Sequence, residues 1–399
     1  MSNKKRLLYK GQHIALYIDD VSTSDVIFTF SGHGANPKDL YGDGFIQSLG
    51  FSGVFFVALA NHWWQTEELS EAINIANSNT YTHTNRIAYG QSMGGYGALL
   101  CAAKLKSRVV VTAPQTTLNS QHAKIPQSWM KDISKYPTIR DNIVNELINI
   151  ESIKIIYDIK DKCDVSHVNY LKAHIEWIDE YTVPYATHNL PKTLREMGII
   201  SNIVSDAFKN EINDKIEFRK KINNNRKKSI SYLLNLGTSI NKSRNRWLYY
   251  IYKDIVSSYF EDLISQSNSN SFLTNKNYLD DFKTRFISMN QHVESYDTNK
   301  LLFLSKGNDP QFFIGNLPDG NKVCSLSFFS NTKSFGNVFF LRASSTAYTP
   351  KDAISFSVVP GINHIRFTLP GSYEDGLQQI RIDPISCTGF FQILDFIFE

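Results

Sequence analysis

The spacing of apolar residues divides the chain into three stretches. From about residue 25 to 200, short β-branched or aromatic runs alternate with amphipathic stretches, which is typical of parallel strands joined by helices that cover both faces of a sheet. Residues 7–9 and 14–18 precede them and predict an antiparallel hairpin at the edge of that sheet. The predicted strands are 26–30, 54–58, 86–89, 108–112, 153–157 and 182–185, and the predicted helices are 67–77, 139–150 and 168–181.

Around residue 200 the pattern becomes helical, with many charges and asparagines and almost no glycine or proline. Residues 209–246 carry eleven basic and three acidic side chains, which indicates either the solvated face of a linker helix or a contact for a polyanion or a membrane surface. Helical periodicity continues over 230–264, including Trp247, Tyr250 and Ile251, up to a Ser/Asn-rich break at 265–271. A small helical bundle or hairpin is predicted here.

From about residue 296 onward the chain reads as all-β. Apolar runs separated by Gly, Pro, Asn and Asp turns recur about every 10 residues and predict a β-sandwich of about seven or eight strands. At roughly 150 residues per domain, 399 residues suggest two or three domains. We place them at 1–208, 209–292 and 293–399. The predicted strands are 301–304, 324–329, 337–341, 354–358, 365–369, 379–383 and 391–396.

Composition excludes several classes of protein. Hydrophobic content of 42% and aromatic content of 13% exclude wholesale disorder. Neither a signal peptide nor an integral membrane segment is expected, because the basic start lacks a suitable apolar stretch and no segment reaches about 18 apolar residues. The four cysteines are far apart without CxxC spacing, so we expect no metal site, no disulfide framework and a reducing cytoplasm. A net charge of +4 is too small to indicate a nucleic-acid partner.

The first stretch contains a candidate nucleophile. Residues 90–94 read Gly-Gln-Ser-Met-Gly and lie between a predicted strand and a helix of small residues. This is the pattern of a nucleophile elbow, a sharp strand-to-helix turn that presents a serine oxygen. Ser92 is therefore the candidate nucleophile. It needs a base within hydrogen-bond reach, a carboxylate that orients the base, and N–H donors for the oxyanion.

Candidates for the base and the acid follow Ser92 in the chain order Ser, acid, His that accompanies such an elbow. His188 follows the strand predicted at 182–185 and is the proposed base. Asp161 is slightly preferred as the acid because it lies four residues beyond the strand at 153–157, and Asp164 is the second choice. Asp158 is left over. His167 is a competing base, although a structural role suits its place on a helix better.

The oxyanion would be bound by backbone N–H groups. One belongs to Met93, the residue after the nucleophile, and the second to the loop after an early strand, where His33 is our choice. Its neighbours Gly32 and Gly34 allow the backbone to turn, and we assign them to substrate contacts. Gln91, Trp63 and Trp64 are also assigned to substrate binding; the two tryptophans would form a platform for a sugar or an acyl group, or pack in the core.

Through this loop, the elbow, Asp161 or Asp164, and His188, residues 25 to about 205 resemble the α/β-hydrolase superfamily. The resemblance implies an α/β fold with a mostly parallel sheet, here followed by the helical segment and the β-sandwich, and a serine esterase without metal or organic cofactor. No cap insertion is evident, which suggests an open site and a bulky substrate.

The C-terminal run 379–384, with Gly389 and the strand 391–396, resembles β-sandwich pieces of bacterial surface-polysaccharide enzymes. That resemblance implies glycan binding; a sandwich that only stabilises or dimerises the enzyme is the alternative. We therefore expect a serine hydrolase that cleaves a carboxylic ester, an O-acetyl group on a bacterial polysaccharide, through an acyl-enzyme. An O-acyltransferase acting on a glycan and a catalytically idle glycan-binding protein are the alternatives.

Overall fold

A computed structural model describes residues 5–22, 24–141, 143–211, 214–243, 252–253, 255–260, 262, 282–297, 301–307, 309–318, 323–370 and 376–398. The chain divides into two compact units, Met1–Leu236 and Gly237–Glu399. The predicted boundaries after residues 208 and 292 stay predictions. Trp247, Tyr250, Ile251 and the Ser/Asn-rich break lie outside the described residues.

The first unit contains an eight-stranded sheet in the order β1-β2-β4-β3-β5-β6-β7-β8. The first two strands form the predicted hairpin at the sheet edge, the second also pairs antiparallel with the fourth, and the other pairings are parallel. The strands are β1 (Arg6–Lys10), β2 (Ile14–Asp19), β3 (Asp25–Phe30), β4 (Ser52–Ala58), β5 (Asn85–Ser92), β6 (Arg108–Pro114), β7 (Ile153–Tyr157) and β8 (Ile178–Thr182).

Helices connect these strands, as the alternating pattern predicts. Within the described ranges, every helix is too short or too polar to cross a membrane. The helices of the first unit are α1 (Asp43–Ser48), α2 (Glu68–Asn79), α3 (Met93–Cys101), α4 (Gln127–Ile133), α5 (Ile143–Leu147), α6 (Lys162–Lys172), α7 (Leu190–Glu196), α8 (Ile200–Phe208) and α9 (Lys215–Asn225); α10 (Ile230–Ser243) runs across the division between the units.

The helix predicted at 168–181 and the strand predicted at 182–185 are misplaced along the chain. Helix α6 begins six residues earlier, because Asp161 caps it by accepting hydrogen bonds from backbone N–H groups of its first turn. The following residues Ile178–Thr182 form the last strand of the sheet. Residues 183–188 are consequently a loop at the carboxyl edge of the sheet.

The core of the first unit lies on both faces of the sheet. Strands β3 and β4 are buried almost throughout, which is why they read as continuous apolar runs. Helix α3 is buried along all nine residues, and its small side chains let it pack closely over the sheet. The residue that precedes α3 is Ser92, so the helix with the most complete burial carries the candidate nucleophile at its start.

The second unit contains two antiparallel five-stranded sheets, β10-β11-β18-β13-β16 and β15-β14-β17-β12-β9. They share one apolar core, to which Phe303, Leu326, Phe312 and Ile380 belong, and so form the predicted sandwich. Three short strands, β9, β10 and β12, bring the described total to ten. The strands are β9 (Phe286–Met289), β10 (Val293–Asp297), β11 (Leu302–Ser305), β12 (Phe312–Ile314), β13 (Val323–Ser330), β14 (Ser334–Arg342), β15 (Ala353–Val358), β16 (Gly361–Thr368), β17 (Leu377–Asp383) and β18 (Gly389–Phe398).

Candidate active site

Ser92 lies on a strained turn at the end of β5. Its backbone has φ 55° and ψ −121°, a region that a residue with a side chain rarely adopts. The turn closes because Gly90 and Gly94 lack side chains: a Cβ on Gly90 would collide with the backbone of Gly94, and a Cβ on Gly94 would collide with the carbonyl of Phe30. The backbone thus presents the hydroxyl of Ser92 at the carboxyl edge of the sheet.

Ser92, His188 and Asp164 form a hydrogen-bonded chain. The Oγ atom of Ser92 lies 2.9 Å from Nε2 of His188, and Nδ1 of His188 lies 2.6 Å from Oδ1 of Asp164. Since an ionised carboxylate only accepts hydrogen bonds, the Nδ1–H group donates to Asp164. Nε2 of the neutral ring is then the acceptor for the hydroxyl proton of Ser92, which is the arrangement that activates a serine.

Asp161 has a different role from the one slightly preferred in the sequence analysis. Its Oδ1 accepts hydrogen bonds from the N–H groups of Cys163 (2.8 Å) and Asp164 (3.1 Å). The structure therefore brings Asp164, and not Asp161, to His188. The physical reason is the helix start: α6 begins at Lys162, so Asp161 is its N-cap while Asp164 lies in the buried first turn.

Asp158, left without a role by the sequence, holds the loop that carries His188. Its Oδ1 accepts from the N–H of Tyr185 (3.0 Å), and its Oδ2 accepts from the N–H of Thr187 (2.7 Å). Both of these loop residues have positive φ, 65° and 59°. Gln91 ties the elbow to the same loop through a hydrogen bond from Nε2 to the carbonyl of His188 (3.1 Å). These contacts fix the imidazole relative to Ser92.

Burial sets the electrostatics of the acidic groups. It raises the pKa of Asp164, and the hydrogen bond and charge of His188 oppose that rise in part. Burial likewise raises the pKa of Asp158, against the lowering effect of its backbone N–H partners. Both carboxyls are about 1% exposed, so each depends on these partners to stay ionised.

His167, the competing base, is a buried structural residue. Its Nδ1 accepts a hydrogen bond from the N–H of Thr116 (3.2 Å). Burial, and after it the charge of His188, lowers the pKa of His167 to about 4. The ring is therefore neutral near pH 7, and Ser92 is hydrogen-bonded to His188 instead.

Two backbone N–H groups are candidates for the oxyanion hole. That of Met93 is the first in α3 and has no acceptor within the helix. In the loop after β3, the N–H of Gly34 already donates to Oδ1 of Asn61 (2.8 Å), and His33, which lines the cavity, stays the candidate. The His33 ring is anchored by Asp132, whose Oδ2 lies 2.9 Å from Nε2. No sequence pattern marks Asp132, which lies in α4.

A cavity of about 480 Å³ opens to solvent above Ser92. Helix α4, in the connection between β6 and β7, supplies one wall: the ring centroid of Trp129 lies 5.0 Å from that of His188. The sequence shows no cap insertion and predicts an open site. Helix α4 narrows the opening of the cavity but does not close it. The lining residues are Gly32, His33, Tyr41, Gln91, Ser92, Trp129, Asp161, Thr187, His188 and Asn189.

Trp63 and Trp64 do not form the expected platform, since both are fully buried. Their φ values of 46° and 60° turn the rings inward. Nε1 of Trp64 donates to the carbonyl of Met93 (2.9 Å) and Nε1 of Trp63 donates to Oε1 of Gln115. Both tryptophans pack in the core, which is the alternative expectation. Trp64 also supports the elbow through its hydrogen bond to Met93.

The sheet order, the elbow at the end of β5 and the chain order Ser, Asp, His are those of the α/β-hydrolase fold, as the sequence predicts. Among the residues that the structure describes, no cluster of three His, Cys, Asp or Glu side chains could hold a metal ion. No protein-family profile matches the sequence. No curated protein matches it either.

Solved structures with a similar fold cover about half of this chain. They include a capsule O-acetyltransferase of Neisseria meningitidis serogroup A (14% identity, TM-score 0.39, 50% of this chain and 93% of that one). Others are carboxyl esterase 2 of the mycorrhizal fungus Tuber melanosporum (13%, 0.38, 55% and 87%) and an esterase of Pyrococcus furiosus (16%, 0.36, 51% and 88%). Likenesses at this level carry no argument about activity.

Proposed function

We propose that the chain is a serine hydrolase that cleaves a carboxylic ester through an acyl-enzyme at Ser92. The hydrogen-bonded chain Ser92, His188 and Asp164, set on a strained elbow beside an open cavity, is the observation that supports it. A strained turn is retained in a fold when the surrounding structure over-determines it, and such turns cluster at active sites.

The geometry supports a two-step reaction. Oγ of Ser92 attacks the ester carbonyl while Nε2 of His188 takes its proton, and the Asp164 carboxylate stabilises the imidazolium. The N–H groups of Met93 and His33 bind the oxyanion, a contribution of about 3 to 4 kcal/mol for one such donor. The imidazolium then protonates the departing alcohol. A water molecule, deprotonated by His188, attacks the acyl-enzyme and releases the acid and free Ser92.

The proposed substrate is an O-acetyl group on a bacterial polysaccharide. The cavity opens at the sheet edge and Trp129 offers an indole beside His188. An open site accommodates a chain of sugars on either side of the acetylated one. The acyl group itself has only to reach Ser92 from solvent.

Labelling with a fluorescent fluorophosphonate probe tests the nucleophile. The wild-type protein should be labelled and Ser92→Ala should not. Ser327→Ala is a matched control, because Ser327 also has its hydroxyl 2.9 Å from an imidazole nitrogen, Nδ1 of His364. Labelling that survives in Ser92→Ala would refute the proposal, and labelling lost in Ser327→Ala would move the nucleophile to the other unit.

Turnover distinguishes hydrolysis from transfer. Acetate release from an acetylated glycan in water, lost in Ser92→Ala, is the expected result. Labelling without acetate release, together with acetylation of an added glycan from an activated acetyl ester, would identify the acyltransferase instead. Stoichiometric glycan binding with no labelling would identify the idle binding protein.

A further inference from the structure

A second cavity, of about 310 Å³, lies in the first unit beside the one over Ser92. We call it the Arg195 cavity. Its volume falls in the range of ligand pockets, which begins at about 300 Å³. The lining residues are Tyr41, Gly42, Phe45, Tyr89, Pro191, Arg195, Ile200, Ser201 and Val204.

Three chain segments line both cavities. Tyr41 belongs to both linings, and the segment after β8 contributes Asn189 to one and Pro191, at the start of α7, to the other. On strand β5, Tyr89 and Gln91 are two residues apart, so their side chains point to the same face of the sheet. The Arg195 cavity therefore continues the catalytic cavity along that face, and one extended ligand can occupy both.

Aromatic rings form much of the lining. The rings of Tyr41 and Tyr89 are stacked with centroids 5.4 Å apart, and Phe208 supports Tyr89 edge-on at 5.1 Å. Burial raises the pKa of both tyrosines, so both hydroxyls stay protonated and remain hydrogen-bond donors. Such a surface suits a sugar ring, whose C–H groups pack on aromatic carbon while its hydroxyls find polar partners.

Arg195 adds a positive charge with no counter-charge. Within the described residues, its guanidinium makes no ion pair or hydrogen bond, whereas those of Arg86, Arg108 and Arg140 all donate to protein oxygens. Arg195 is exposed and lines the cavity, and its charge lowers the pKa of Tyr41 and Tyr89 against the larger effect of burial. A guanidinium binds carboxylate and phosphate oxygens in a bidentate geometry.

We propose that the Arg195 cavity binds an anionic sugar residue of the substrate, with its ring against the aromatic lining and its carboxylate or phosphate on Arg195. The substrate is then an acidic O-acylated glycan. This inference rests on the proposed function of the Ser92 site. An acyl chain is the other occupant that the apolar lining admits, but it gives no role to the guanidinium.

Calorimetry on Ser92→Ala tests the inference without requiring turnover. The probes are trigalacturonate, a galactose trisaccharide of the same length, and galactose 1-phosphate against galactose. We expect each anionic probe to bind at least about tenfold more tightly than its neutral partner, a factor that corresponds to about 1.4 kcal/mol. Comparing trigalacturonate with galactose 1-phosphate shows whether the cavity prefers a carboxylate or a phosphate.

A second substitution assigns the preference to Arg195. Adding Arg195→Gln should remove the preference for the anionic probes, and adding Lys192→Gln should leave it within about twofold. Lys192 is the matched control because it lies on the same helix, is exposed and pairs with Glu196 (3.8 Å). Unchanged melting temperatures show that both variants are folded.

Equal affinity for charged and neutral probes, no binding of any probe, or equal effects of the two substitutions would overturn the inference. Tight binding of octanoate that Arg195→Gln leaves unchanged would identify an acyl pocket. Because fluorophosphonate labelling of Ser92 is independent of these measurements, loss of labelling and loss of anion binding report separately on the two proposals.

Discussion

Each unit contains a serine and a histidine held at the same distance, in very different surroundings. Oγ of Ser92 lies 2.9 Å from Nε2 of His188, and Oγ of Ser327 lies 2.9 Å from Nδ1 of His364. The first pair joins an elbow to a loop 96 positions away, whereas the second joins directly opposed residues of β13 and β16. The comparison teaches that proximity of a hydroxyl to an imidazole does not by itself define a catalytic site.

The backbone around the two serines differs. Ser327 lies within a strand that pairs with a neighbour on each side, with a register shift towards β18 between Ser327 and Phe328, so the backbone polar groups of this strand face the neighbouring strands. Ser92 precedes helix α3, and the first backbone N–H groups of a helix have no acceptor within it. His188 also has its remaining nitrogen on a buried carboxylate, that of Asp164.

The largest expected effect is on turnover by the first pair. Ser92→Ala should reduce kcat by about 10⁵ to 10⁶, since removal of a serine nucleophile disables the whole group of catalytic residues. Ser327→Ala should leave kcat within about twofold. Hydrolysis of p-nitrophenyl acetate by the two variants and the wild type gives the comparison. Similar losses in both variants would mean that the two pairs are not functionally distinct.

The next effect distinguishes two aspartates one helical turn apart. Asp164→Asn should reduce kcat by about 10⁴, because an amide no longer orients the imidazole or stabilises its charged form. Asp161→Asn should retain most of the activity, since an asparagine also caps a helix. The measurement is kcat for the same ester at pH 8. A larger loss in Asp161→Asn would restore the assignment first preferred from loop spacing.

A smaller effect concerns His167 and acid stability. Its pKa of about 4 in the fold lies below the usual 6.5, so the unfolded chain binds the proton more tightly and stability is lost as the pH falls from about 6.5 to about 4. The loss amounts to about 3 kcal/mol at 1.36 kcal/mol per pKa unit. His167→Asn should flatten this part of the curve, as measured by urea unfolding between pH 4 and pH 7. Parallel curves for the two proteins would contradict the expectation.

The smallest effect is on the stability of the sandwich. Ser327→Ala removes one hydrogen bond to His364 and should lower the free energy of unfolding by about 1 kcal/mol. A urea titration followed by circular dichroism measures it. A change above about 3 kcal/mol would show that this pair supports the second unit far more than one hydrogen bond accounts for.

Much of the site follows from local sequence. The elbow can be identified from the sequence because only glycine fits at positions 90 and 94. His188 can be identified because it follows the last strand of the sheet, even though the sequence predicts that strand a few residues too late. To decide whether Asp161 or Asp164 contacts His188, one must know the residue at which α6 begins. Either aspartate could cap that helix on sequence grounds, and the structure shows that Asp161 is the N-cap.

Long-range contacts explain what the sequence could not show. The sequence leaves Trp63 and Trp64 open between a substrate platform and core packing. Their burial depends on positive φ values and on space beside Gly97, where a Cβ would collide with the indole of Trp64. Asp132 and Trp129 reach the site from α4, a short helix without a strong apolar period. In the sandwich, β12 has only three residues, too few to show an alternation of apolar and polar positions.

The position of Trp129 gives the protein an optical reporter. Its indole lies 5.0 Å from the imidazole of His188, and a protonated imidazole quenches indole emission. Each cycle that charges this ring should therefore dim and restore one tryptophan signal. Stopped-flow fluorescence can then follow individual chemical steps without a chromogenic leaving group.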